Sequence, residues 1–163
     1  AYRARFGVAL GAAHEASTGG DDYTLARGAR RFDLGNYNFL ATAAVDASMQ
    51  QLLAWDTRRI EPYVRGLTEA LARGFLELGL AVAGGEPGPH LTKIVTVGVM
   101  SADHYGTGDE RYNRLYAHLM ENRVRLSIRR GMLRFSLHVY NNMDDVARVL
   151  DLTRQFLASD RKP

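Results

Sequence analysis

Residues 123–140 hold two runs of strict alternation joined by one glycine. Val124, Leu126 and Ile128 alternate with Arg123, Arg125, Ser127 and Arg129. After Gly131, Leu133, Phe135, Leu137 and Val139 alternate with Arg134, Ser136, His138 and Tyr140. Successive side chains of a strand point to opposite faces, so each run gathers its apolar residues on one side. Two such runs about a turn residue predict an antiparallel hairpin over about 123–140. Its apolar face must be covered. Its other face presents Arg125, Ser127, Arg129, Arg134, Ser136 and His138. A slip of one residue would exchange the two faces, so the register is strongly specified.

The cover comes from helices. Leu40, Ala43, Ala44, Ala47, Leu52 and Trp55 recur at helical spacing, which predicts a helix over about 38–55. Asp56 and Thr57 offer an N-cap for the next helix. Its stripe of Ile60, Val64, Leu67, Leu71, Phe75 and Leu78 is the cleanest amphipathic pattern in the chain. Pro62 is read as lying in the first turn, where amide donors are unpaired anyway. Gly79 closes the helix as a C-terminal glycine. A short apolar stretch, Leu80–Ala83, reads as a strand, and Ile94, Val95, Val97 and Val99 mark another over about 92–99. Asp109 caps a helix bearing Tyr112, Leu115, Tyr116 and Leu119. Asn142 caps a last helix, with Asp144 and Asp145 in its first turn. Val146, Val149, Leu150, Thr153, Phe156 and Leu157 form the apolar face of that helix. Helices on one face of a small, mostly antiparallel sheet make a two-layer α+β domain. Val124, Leu126, Leu133, Phe135 and Leu137 are its expected core.

At 163 residues and 18.1 kDa the chain suits about one domain. Hydrophobic residues at 46% and charged residues at 24% exclude a disordered chain. No apolar run approaches the roughly 20 residues of a membrane-spanning helix. The absence of cysteine excludes disulfides, thiolate metal sites and a cysteine nucleophile within this sequence. Twenty-one basic against 18 acidic residues leave +3, too little and too interleaved to demand nucleic acid. Lys93 and Lys162 are the only lysines, so the basic charge is almost all arginine, the bidentate binder of carboxylate and phosphate.

The usual catalytic signatures are missing. His14, His90, His104, His118 and His138 include no i, i+4 pair around a carboxylate, which argues against a metal site. There is no G-x-S-x-G nucleophile elbow and no glycine-rich phosphate loop of either common type. The arginine-bearing strand face suits an anionic ligand or an acidic partner. A solvated outer sheet face is also polar by default, and spacing alone leaves both readings open.

Two segments go further together. One is Arg31-Phe32-Asp33-Leu34-Gly35-Asn36-Tyr37-Asn38, before the first helix. The other is Leu133-Arg134-Phe135-Ser136-Leu137-His138-Val139-Tyr140-Asn141-Asn142, before the last. Together they resemble the class V aminotransferase family of fold-type I pyridoxal phosphate enzymes, which includes cysteine desulfurases, selenocysteine lyases and isopenicillin N epimerase-like proteins. In that family R-F-E-x-G-[TN] opens the small domain and L-R-x-S-x-x-x-Y-N-[TN] precedes its last helix. The resemblance runs from about Arg30 to Leu157. It implies that residues 38–163 are the small C-terminal domain and that 1–37 are the tail of a large cofactor-binding domain, or a linker from it. Residues 1–37 are then expected to be extended without that partner.

By position, Arg134 matches the arginine that grips the substrate carboxylate, and Arg129 is a second anion contact. Gly35 and Asn36 match the loop that reaches the cofactor phosphate of the neighbouring subunit, with Asn36 where many members carry Thr. Asp33 replaces the commoner Glu. The resemblance implies pyridoxal 5'-phosphate as cofactor, an amino acid as substrate, and a cytoplasmic homodimer acting on neither nucleic acid nor membrane. Transamination, epimerisation and C–S lysis all fit it. The family's Schiff-base lysine belongs to the large domain. Lys93 and Lys162 lack its context, so no catalytic residue is expected here and this chain alone is expected to be inactive. The family's persulfide cysteine would fall in Arg123–Met132, where none occurs.

Two other classes remain. One is a stand-alone α+β module that binds a small molecule or a protein through its arginine face. The other is an RNA-binding α+β domain, for which the strand face lacks stacking aromatics apart from Tyr140.

Overall fold

The stripe on the second predicted helix forms a wall against which the first strand and the last helix pack. The computed structural model describes residues 27–29, 38–102 and 106–160. Its elements are α1 (Phe39–Trp55), α2 (Thr57–Glu77), β1 (Ile94–Val97), α3 (Glu110–Glu121), β2 (Ser127–Arg129), β3 (Met132–Ser136) and α4 (Met143–Asp160). The chain divides into two compact units, Ala1–Ala54 and Trp55–Pro163. In the first, Asn38 begins α1, its Oδ1 accepting from the Ala41 N–H at 3.0 Å. No residue of α1 is buried, and Phe39 and Leu40 are 77% and 83% exposed. The apolar residues of α1 are spread around it rather than gathered into one stripe, unlike those of α2. The expectation for residues 1–37, apart from 27–29, lies outside the described residues.

The second unit is a two-layer α+β fold. Asp56 caps α2 by accepting from the Arg58 N–H at 2.9 Å. Val64, Leu67, Leu71 and Phe75 are buried as the stripe requires, with Thr68 and Ala72 between them. Pro62 is the sixth helical residue rather than a first-turn one, so the helix gives up one internal hydrogen bond there. At the far end, Gly79 has φ 76°. Its N–H reaches the Leu76 carbonyl at 2.9 Å, and that of Leu80 reaches Phe75 at 3.0 Å. This pair of bonds is the Schellman closure, which needs a left-handed residue.

The three described strands lie in the order β1-β3-β2, antiparallel throughout. Val95, Val97, Leu133 and Phe135 are buried on one face. Phe135 meets Phe75 of α2 with ring centroids 5.0 Å apart. Tilted aromatic pairs of this kind add about 0.5–1.5 kcal/mol to the burial itself. α4 packs on α2 and α3, with Leu152, Thr153, Phe156 and Leu157 buried. Gly74 lets α4 come close, since a Cβ there would stand 2.3 Å from Leu150 Cδ1. The Thr153 hydroxyl is satisfied by the Val149 carbonyl at 2.8 Å. Asp160 closes the end of α4 against α3, accepting from Arg114 Nη2 at 2.7 Å and lying 3.3 Å from Arg111 Nε. That hydrogen bond to Asp160 holds the Arg114 guanidinium above its ordinary pKa. No described helix is long and apolar enough to cross a membrane.

Three further expectations are corrected. Leu80–Ala83 makes only an isolated bridge, Val82 to Val97, because Gly84 and Gly85 at φ 87° and 71° turn the chain away. The hairpin strands pair only over 127–134, not 123–140, and the remaining residues of β3, Phe135 and Ser136, pair with β1 alone. At one end Arg123 and Val124 are taken up closing α3, with N–H bonds to Met120 at 3.0 Å and Leu119 at 2.9 Å. At the other end His138 and Asn141 form a turn, the Asn141 N–H reaching the His138 carbonyl at 3.0 Å. Val124 and Leu126, expected to be buried, are therefore only half-buried.

The hairpin turn is tight. Arg130 and Gly131 both have positive φ, 51° and 77°, the type I′ form whose twist suits a two-residue loop. The Arg130 carbonyl accepts from the Ser101 N–H at 2.8 Å. A Cβ on Gly131 would stand 2.2 Å from Ser101 Oγ and 2.9 Å from its nitrogen. Gly131→Ala is expected to lower unfolding free energy by about 2–4 kcal/mol, from backbone strain plus the clash. Chemical denaturation reads this, and an unchanged midpoint would show that the turn is not seated on Ser101. Arg123 holds the left-handed position that glycine usually takes after a helix, at φ 64°. Arg123→Gly is expected to stabilise the chain by about 0.5–1 kcal/mol, raising Tm by a few degrees.

Candidate functional site

Burial on one face of β3 dictates what stands on the other. Leu133 and Phe135 face the helices, so Met132, Arg134 and Ser136 face outward. The register places Arg134 opposite Thr96 of β1 and Ser127 of β2. Residues directly opposite in a ladder share a face, so Arg134 occupies the middle of a polar row across all three strands. Arg129 stands opposite Met132 on the same face. Ordinary sheet geometry sets it diagonal to Arg134, about 7–8 Å away. Arg134 is half-buried and Arg129 exposed.

Neither arginine has a carboxylate partner among the described residues. The ion pairs there use Arg58, Arg65, Arg73, Arg111, Arg114 and Arg154. Two adjacent guanidinium groups without a counter-charge repel each other and present donor forks to solvent. Flanked by the hydroxyls of Thr96 and Ser127, they suit a planar anion such as a carboxylate.

The sequence-predicted residues divide. Arg134 and Arg129 are brought onto one face. Gly35 and Asn36 lie outside the described residues. Arg125 and His138, expected on the same strand face, lie beyond the paired ladder. His138 sits in the turn instead, stacked on Tyr140 with centroids 5.1 Å apart. Its main-chain N–H donates to Asn141 Oδ1 at 2.9 Å. Thr96 was missed by the sequence reading. The alternation of Ile94, Thr96 and Gly98 against Val95 and Val97 carries its orientation, but only the β1–β3 register places it beside Arg134.

Asn142 anchors the helix after this strand. Its Oδ1 accepts from the N–H groups of Asp144 at 2.8 Å and Asp145 at 3.1 Å, while Asp145 Oδ2 accepts from the Asn142 N–H at 3.1 Å. This reciprocal arrangement fixes where α4 starts and so holds the end of β3. The Tyr63 hydroxyl ties the same turn to α2 through the Asn141 carbonyl at 2.7 Å.

No protein-family model matches the chain, and no curated protein does. Solved structures do. A cysteine desulfurase from Thermococcus onnurineus NA1 aligns with TM-score 0.65 and 20% identity, over 85% of this chain and 36% of that one. A NifS-like protein aligns with TM-score 0.58 and 16% identity, over 81% and 37%. An 8-amino-7-oxononanoate synthase from Francisella tularensis aligns with TM-score 0.52 and 17% identity, over 78% and 35%. At these identities the likeness establishes the fold. The chain spans about a third of the length of each.

Arginines on an outer sheet face with no ion-pair partner among the described residues need not support the fold. Arg134→Gln and Arg129→Gln are each expected to leave unfolding free energy within about 0.5–1 kcal/mol of the parent. A loss above about 2 kcal/mol in thermal or urea unfolding would show instead that the side chain supports the sheet.

Proposed function

We propose that this chain is the small-domain portion of a pyridoxal phosphate enzyme of the class V aminotransferase type, acting on an amino acid. The observation that carries the reading is Arg134, centred on the outer sheet face with no carboxylate partner among the described residues. The motif resemblance assigns the substrate carboxylate to this same residue. The likeness in fold to a cysteine desulfurase, a NifS-like protein and an oxononanoate synthase supports the reading. So does the share of those chains that it spans.

The described residues fit the substrate better than the cofactor. Lys93, the one lysine among them, is exposed ahead of β1, and its main-chain carbonyl accepts from the Leu137 N–H at 2.9 Å. Holding the cofactor is assigned to Gly35 and Asn36, outside the described residues, and to the remainder of the intact protein. Arg134 then orients the amino acid by a two-bond grip on its carboxylate, with Thr96 and Ser127 as flanking donors and Arg129 adding positive potential. That grip fixes the substrate's Cα relative to whatever group reacts with it. Without cysteine in Arg123–Met132, a persulfide carrier there is excluded, and transamination, epimerisation and C–S lysis are the reactions proposed. In the intact enzyme this domain also contributes to a homodimer interface.

A second reading, a stand-alone carboxylate-binding module, rests on the same arginine pair and needs no cofactor. Substitution separates the two. In the intact enzyme Arg134→Lys keeps the charge and removes the fork. It is expected to raise KM for the amino acid about 5- to 150-fold, a cost of about 1–3 kcal/mol. The absorbance of bound cofactor is expected to stay unchanged. Unaltered KM and kcat would make Arg134 an ordinary solvated strand residue. This chain alone is expected to show no cofactor-dependent turnover; activity abolished by changing Lys93 would overturn the assignment of the lysine elsewhere.

A further inference from the structure

The two hairpin strands part beyond Ser127 and Arg134, and the gap does not close up. A cleft of about 350 Å³ opens between Arg123–Arg125, the end of β3 and the first turns of α4. Its floor is apolar: Leu71, Phe135 and Val146 are buried, and Val149 is half-buried. Its rim carries Arg123, Arg125 and Arg148. Arg134 does not line it.

The rim is short of counter-charge. None of the three arginines belongs to an ion pair among the described residues. Arg148 Nη2 donates to the Asn122 carbonyl at 3.0 Å, which leaves the rest of its fork unused. The one carboxylate at the cleft, Asp145, is engaged by Asn141 Nδ2 and the Asn142 N–H, both at 3.1 Å. Arg123 also holds a left-handed backbone position that glycine would occupy without strain.

We propose that this cleft binds a small carboxylate with an apolar body, such as an aryl- or alkyl-carboxylic acid. The arginines provide planar, bidentate donors for the carboxylate. The floor rewards an apolar tail that water would not. Inorganic phosphate fits the rim but gains nothing from the floor, and an uncharged molecule fits the floor but leaves the rim unused. The volume lies at the small-molecule end of natural pockets, too small for a folded partner. The proposal stands apart from the Arg134 reading, because it uses none of the same side chains.

The test is a titration of the full chain, methyl-labelled for NMR, with 3-phenylpropionate. Saturable shifts are expected at the methyl groups of Leu71, Val124, Val146 and Val149. Binding of 3-phenylpropan-1-ol and of inorganic phosphate is expected to be weaker by about tenfold or more. Arg125→Gln with Arg148→Gln is expected to weaken 3-phenylpropionate by a similar factor, and Arg134→Gln to leave it unchanged. Equal binding of the alcohol would reduce the cleft to an apolar hole, and equal binding of phosphate to a bare cationic patch; either overturns the proposal. So does the absence of saturable shifts, which the parent chain reports even if the double variant fails to fold. Loss of binding in Arg134→Gln would move the ligand to the sheet face, sinking the cleft while leaving the Arg134 reading intact.

Discussion

β3 pairs on both sides, and its register sets the rest of the second unit. Leu133 and Phe135 must enter the layer between sheet and helices, because Val95 and Val97 of β1 and the α2 stripe are already committed there. A strand has a period of two, so the residue between them has no choice of face. Arg134 is thus turned to the outer face by the packing of its neighbours, where it is half-buried. Among the described residues Arg134 meets no carboxylate, and the adjoining residues of β1 and β2, Thr96 and Ser127, carry no charge. Core packing therefore produces an uncompensated guanidinium at the centre of the sheet. A slip of one residue would bury it without a partner, at several kcal/mol.

Features with local causes were legible in the sequence. Asp56, Asp109 and Asn142 each cap the helix they precede, because an Asx oxygen one residue before a helix meets a free N–H in any context. The α2 stripe and the Gly79 closure are equally local. The arginine pair on one face followed from alternation. The parting of the hairpin did not. Val124 and Leu126 alternate correctly, yet the N–H groups of Arg123 and Val124 serve the carbonyls of α3. Alternation records which side a residue faces, not whether its backbone is free to pair. Leu152 of α4 was missed for a related reason: it widens an apolar face whose breadth is decided by α2 and α3 together. Thr96 and the cleft depend on contacts between segments distant in sequence, which periodicity does not encode.

The short strand β2 is bracketed by two left-handed residues, Arg123 before it and Arg130 after it. Glycine or asparagine is the usual occupant of such positions, and a long side chain there costs about 1–2 kcal/mol. With Arg125 and Arg129 between them, the bracket lines both ends of one strand with guanidinium groups, one end on the cleft and the other on the sheet face. Arg123 stands on the rim of the proposed cleft, where such strain would be an exchange of stability for function.

The acids explain why that charge stays open. Asp56, Asp109 and Asp145 accept from main-chain N–H groups at helix starts. Asp160 is held by Arg111 and Arg114 at the end of α4. These carboxylates are fixed by the helix ends they secure and cannot move to the hairpin without undoing them. A net charge of +3 spread evenly would say little about partners. Asp56, Asp109 and Asp145 are favoured where they stand by the positive ends of helix dipoles, while Asp160, at the unfavourable end of α4, is held there by Arg111 and Arg114; none of the four is left for the arginines of the hairpin. Among the described residues the hairpin thus concentrates arginine without acid, and the positive potential there is local to β2 and β3.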